Sequence, residues 1–162
     1  MTTANPVAID APAGVPFIDI AREFEHPVAA LWAAHADPEL FTRWLGPRGY
    51  EMDLTEFAFA TGGRYRFVHR NPEGAEFAFN GVFHLVREPE LVIRTFEWEG
   101  APGEVSLEFA RFAELPGGRS RLTGHSVFPS VATRDAMVAN GMERGVVDGF
   151  EQLDEVLAAR AA

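Results

Sequence analysis

At 162 residues, 47% of them apolar, with a mean hydropathy near zero, the chain is sized for one soluble domain with a real core. A net charge of −10 without any dense basic run weighs against nucleic acid and anionic membrane as partners. There is no cysteine, which excludes disulfides, thiolate catalysis and zinc–thiolate sites. Residues 1–15, rich in Thr, Ala and Pro, read as a flexible tail without the basic start and apolar core of a secretory leader. Residues 16–162 read as a single domain, expected in the cytoplasm.

Phe17 to Phe24 mixes apolar and polar residues as a strand does. Pro27 opens a short helix carrying Val28, Leu31, Trp32 and His35, and Asp37-Pro38 opens a second one through Leu40, Phe41 and Trp44. Leu45-Gly46-Pro47 ends it. From Glu51 to Phe128 the chain alternates strand and turn. Gly62-Gly63, Asn71-Pro72-Glu73-Gly74, Glu88-Pro89-Glu90, Ala101-Pro102-Gly103 and Pro116-Gly117-Gly118 punctuate an antiparallel meander. The strand from Phe77 to Val86 is apolar on both faces, so alternation leaves its inward side open and allows a second covering layer, such as another subunit. From Thr133 to Ala159, Val138, Met142, Val146, Phe150, Leu153, Val156 and Leu157 share one broad helical face. The expected fold is α+β: a curved seven-stranded antiparallel sheet gripping one long C-terminal helix, with two short helices after the first strand.

The words Pro27-Val28-Ala29-Ala30-Leu31-Trp32, Asp37-Pro38-Glu39-Leu40, Trp44-Leu45-Gly46-Pro47 and Gly62-Gly63-Arg64-Tyr65-Arg66-Phe67 come in a telling order. Gly81, Pro89-Glu90-Leu91-Val92, Thr95-Phe96-Glu97-Trp98 and Gly141-Met142-Glu143-Arg144-Gly145 continue it. Together they resemble the Hsp90-ATPase-activator-homologue branch of the START-like (SRPBCC, Bet v 1-like) superfamily, from about Phe17 to Leu157. The resemblance implies the helix-grip fold and a cavity between sheet and helix. Lipid and hormone carriers, polyketide cyclases and co-chaperone domains share that device, so fold alone does not choose a use.

Gly141, Gly145 and Gly149 recur every four residues along the last helix. Each glycine in a helix interior costs about 1 kcal/mol against alanine, so the stripe serves either close approach to another backbone or room for a ligand. Trp44, Tyr65, Phe67, His69, Phe96, Trp98, Met142, Gly145, Val146 and Gly149 are the candidate cavity residues. His69 and His84 sit on adjacent strands and are the weak catalytic candidates, as possible neighbours. Glu56, Glu97, Glu99 and Glu108 are strand carboxylates, and one facing the cavity could serve as an acid. Histidine spacing fits no metal motif, and nucleophile elbow and dinucleotide fingerprint are missing, so neither metal nor organic cofactor is expected. The leading expectation is a binder of a small apolar or aromatic molecule, non-catalytic. The alternatives are an enzyme of the cyclase or dehydratase type, and a co-chaperone-like or homodimeric interaction module.

Overall fold

The punctuated apolar runs become eight strands and four helices in the computed structural model, which describes residues 5–161. In chain order they are β1 (Ala8–Asp10), β2 (Phe17–Phe24), α1 (Val28–Ala36), α2 (Pro38–Trp44), β3 (Glu51–Phe57) and β4 (Arg64–Arg70). There follow β5 (Glu76–Arg87), β6 (Leu91–Trp98), β7 (Ser106–Leu115), β8 (Arg119–Val127), α3 (Val131–Ala139) and α4 (Met142–Ala161). Every neighbouring pair is antiparallel, in the order β1-β2-β8-β7-β6-β5-β4-β3. After β2 the chain makes α1 and α2, re-enters at the far edge with β3, and meanders back until β8 lies beside β2.

The sheet thus has eight strands, not seven. The extra one, β1, lies within the segment expected to be a tail and pairs Ile9 with Ile20. Three residues of alternating chain are too few to announce a strand without the β2 edge that templates them. The C-terminal helix is also two helices, not one. Gly141 adopts φ +83°, a left-handed position that ends α3 and starts α4 in a new direction.

Two local signals work as expected. Asp37 caps α2 by accepting the Glu39 backbone N–H at 2.9 Å, and Pro38 follows it as the first helical residue. Pro27 stands one place earlier than expected, at the N-cap of α1, with extended ψ.

Strand β5 resolves its own ambiguity by a break in register. Phe79, Gly81 and Phe83 share the inward side, then a β-bulge between Phe83 and Leu85 reverses the parity, so Val86 packs against the core and Leu85 pairs with Ile93 on the outside. The core lies between the concave face and the helices: Phe24, Leu31, Trp32, Phe41, Trp44, Tyr65, Phe67, Phe83, Phe112, Phe150, Leu153 and Leu157 form one buried cluster.

Helix α4 is held to this face at two places. Arg22, buried on β2, donates from Nη1 to the Phe150 carbonyl at 3.2 Å, and the Phe150 ring meets Phe24 edge-on at 6.2 Å. On the other flank, Gln152 Nε2 donates to the Trp44 and Gly46 carbonyls at 3.1 and 2.9 Å. Arg48, just beyond, pairs with Glu155 at 2.6 Å. The grip therefore clamps the middle of α4 between β2 and the loop after α2.

Candidate functional site: the concave face

Rows of paired residues cross the curved sheet, and all members of a row point the same way. One inward row is unlike the others: Phe83, Arg94, Glu108, Ser126 and Ile18 run across β5, β6, β7, β8 and β2. Its ends are buried core, Phe83 at 1% and Ile18 at 2% exposure. Its middle is polar. Arg94 Nε donates to Glu108 Oε1 at 2.9 Å, and Ser126 Oγ donates to Glu108 Oε2 at 3.2 Å. The Arg94 and Glu108 side chains keep 22% and 26% exposure, so the concavity is open to them.

The Arg94 guanidinium carbon lies 5.1 Å from the centroid of the Tyr65 ring. Tyr65 is fixed in turn: its hydroxyl donates to the Thr95 carbonyl at 2.5 Å, crossing over Gly81. A β-carbon on Gly81 would come within 2.0 Å of the Thr95 oxygen and 2.5 Å of the Tyr65 hydroxyl, so only glycine leaves this path clear. Burial raises the Tyr65 pKa, against the opposing charge of Arg94, and the phenol stays protonated.

His35 on α1 faces the same space. Its Nδ1 donates to the Leu31 carbonyl at 2.8 Å, and its ring sits against Trp44 at 4.7 Å and Phe112 at 4.9 Å. Burial is the main cause that lowers its pKa to about 4; the bond to Leu31 opposes this, and the charge of Arg94 adds to it. The imidazole is therefore neutral near pH 7 and carries an acceptor lone pair on Nε2.

The residues singled out from the sequence divide into three groups. Tyr65, Phe67 and His69 are buried side by side on β4, and Phe96 stacks on Phe79 at 5.2 Å beside them. Val146 packs on the same cluster, with Met142 half-buried at the start of α4. Trp44 is a packing residue whose Nε1 donates to the Ala34 carbonyl at 2.9 Å. Trp98 lies at the rim, 37% exposed and folded against Gly100.

The glycine stripe does three separate jobs. Gly141 breaks the helix. At Gly149 an added β-carbon would stand 3.3 Å from the Trp44 oxygen and 3.4 Å from the Gly46 nitrogen, so this glycine serves close backbone approach. At Gly145 it would meet only Pro47, at 3.8 Å, an ordinary van der Waals contact, so a methyl would fit there without strain.

His69 and His84 do not meet. His69 pairs with Phe77, seven positions from His84 along β5, and His84 is the exposed extra residue of the bulge. His69 is 6% exposed, and burial lowers its pKa against a backbone bond to Leu45. Its Nε2 has no hydrogen-bond partner among the described residues. Gly46 lies over the ring, with φ +105° and a virtual β-carbon 2.6 Å from Cε1.

Of the strand carboxylates, Glu108 alone joins the inward row. Glu56 is exposed, while Glu97 and Glu99 bond Asn80 at 3.2 Å on the convex side, where Glu99 also pairs with Arg66.

Two surface hollows lie away from this row. One, of about 340 Å³, is on the convex face and includes Asp19, Phe109, Arg111 and His125. The other, of about 370 Å³, is at the rim between Trp32, Phe59, Thr61 and Val86. Among the described residues no cluster of three His, Asp or Glu could hold a metal, and no helix is long and apolar enough to cross a membrane.

A sheet closed over a C-terminal helix, with a mixed polar and aromatic concave face, defines a helix-grip protein. Residues 25–158 match the family model described as Activator of Hsp90 ATPase homolog 1-like protein, and the chain belongs to that family. A crystal structure of a Rhodobacter sphaeroides protein is similar at 27% identity and TM-score 0.84, over 94% of this chain and 99% of that one. A solution structure of an Arthrobacter aurescens protein has 26% identity and TM-score 0.86, over 94% and 91%. The Activator-homologue protein of Silicibacter pomeroyi shares the fold at 24% identity and TM-score 0.74, over 89% and 99%. No curated protein matches the chain.

Proposed function

We propose that this chain binds a small, largely apolar or aromatic molecule between the concave face of its sheet and α4. The reading rests above all on the Arg94–Glu108–Ser126 row: polar groups kept part-exposed at the centre of an aromatic wall, where a folded core would otherwise place apolar side chains. Maintaining an ion pair in such surroundings costs desolvation that a pair of apolar residues would avoid, so its presence calls for a use beyond stability. Native mass spectrometry of freshly purified protein, with and without the apolar dye N-phenyl-1-naphthylamine, tests the proposal. A retained small molecule or a one-to-one dye complex is expected. Protein that carries nothing and takes up no dye would overturn it.

A homodimer is the second reading, favoured by one observation on the other face. Leu85, Ile93 and Phe109 form an outward apolar row across β5, β6 and β7, and Leu107 beside it is 38% exposed. Sedimentation equilibrium at micromolar concentration checks it: a dimer weakened by Leu107→Glu is expected, and a strict monomer refutes it.

A further inference from the structure

From the unused hydrogen-bonding capacity of Arg94 we infer that the ligand carries an uncharged carbonyl oxygen, and that the two terminal nitrogens of Arg94 receive it. This rests on the binding reading above and specifies the chemistry of the ligand's polar end.

A guanidinium has five N–H donors. Arg94 spends one, from Nε, on Glu108. Among the described residues neither terminal nitrogen has a hydrogen-bond partner, and neither is a fully buried atom left without one. The four remaining N–H groups therefore open onto the concavity. Their direction is fixed from two sides: Glu108 holds the Nε edge, and the Tyr65 ring supports one face of the plane. Each support is itself anchored, Glu108 by Ser126 and Tyr65 by the Thr95 carbonyl. This is a preorganised donor pair, not a mobile surface arginine.

Charge decides between a neutral and an anionic acceptor. Glu108 already balances Arg94, His35 nearby is neutral, and the chain as a whole carries −10. An anion would leave one negative charge uncompensated beside part-buried groups. A ketone or lactone carbonyl takes a charge-assisted hydrogen bond from the same nitrogens and adds no charge. The ligand body follows from the walls, Phe79 and Phe96 on one side and His35 on the other.

The test uses two neutral naphthalene dyes whose fluorescence rises on burial. 6-Propionyl-2-(dimethylamino)naphthalene has a ketone, and N-phenyl-1-naphthylamine has no oxygen. Both are titrated into the unmodified protein, into Arg94→Met/Glu108→Gln, and into Arg66→Met/Glu99→Gln as the convex-face control. The paired change at the site avoids stranding Glu108 without its partner, and circular dichroism confirms that each variant is folded. The expected result is that the site variant binds the ketone dye at least tenfold more weakly, binds the oxygen-free dye within twofold of the unmodified protein, and that the control changes neither. If both dyes bind and the site variant leaves the ketone dye unchanged, or weakens both equally, the inference is overturned while the binding reading stands. If neither dye binds the unmodified protein, the binding reading falls and takes the inference with it.

Discussion

Two ion pairs of one type, formed at one distance on opposite faces of a single sheet, behave as different devices. Arg66 and Glu99 on the convex face are 2.9 Å apart, and so are Arg94 and Glu108 on the concave face. Arg66 meets Glu99 with both Nε and Nη2, at 2.9 and 3.0 Å, so its fork is fully engaged. Arg94 meets Glu108 through Nε only and leaves its fork free. The convex pair is the more exposed, at 38% and 34% against 22% and 26%, while the concave pair sits over Tyr65 and among core rings. The lesson is that a salt bridge marks a site by which donors it leaves over and where they point, not by its length.

Breaking the support beneath the concave pair has the largest expected effect. Gly81→Ala forces a methyl into the Thr95 oxygen and the Tyr65 hydroxyl, and should cost about 3 kcal/mol or more in urea unfolding. Next come the pairs themselves. Arg94→Met strands a part-buried carboxylate and should cost about 2–3 kcal/mol, whereas Arg66→Met on the more exposed convex face should cost clearly less. Equal losses in the two variants would erase the distinction between the faces.

A pH titration sharpens the comparison through His35. Its folded pKa of about 4 lies below the ordinary histidine value of 6.5. Between those values the unfolded chain binds the proton that the folded one refuses, so stability falls as pH drops from about 6.5 toward 4. His35 should account for roughly 2 kcal/mol of that loss, and His35→Gln should flatten this part of the stability curve. His69, shifted the same way, contributes a remaining slope of the same sign.

The smallest effect comes from the helix. Gly145→Ala should stabilise by about 0.5 kcal/mol, since the added methyl meets only Pro47 at ordinary contact distance. Gly149→Ala should gain nothing, because the Trp44 and Gly46 backbone already fills its space. Thermal unfolding of the two variants side by side reads the difference.

The meander, the short helices and the core face of the last helix were legible because turn residues and apolar spacing are local signals. The break at Gly141 was not: as one of three evenly spaced glycines it looked like part of a continuous stripe, and only its φ of +83° tells it from the others. The bulge after Phe83 likewise has no sequence mark, and it is what turns Val86 inward and Leu85 outward.

The aromatic wall of the site was readable from Tyr65, Phe67 and Phe96. Of its polar centre, Glu108 stood among the strand carboxylates that could face the cavity, but Arg94 and Ser126 were not singled out, since a strand arginine points to solvent by default. One signal could have found it. Val92, Arg94, Phe96 and Trp98 share a parity on β6, as do Ser106, Glu108, Ala110 and Phe112 on β7, so each charge lies among inward residues.

The central claim is that the concave face, rather than the convex one, is the binding surface. Amide chemical-shift mapping during titration with N-phenyl-1-naphthylamine tests it most directly. The account predicts that the largest shifts fall on Phe79, Arg94, Phe96, Glu108, Gly145 and Val146. Shifts confined to Asp19, Phe109, Thr123 and His125 around the convex hollow would contradict it.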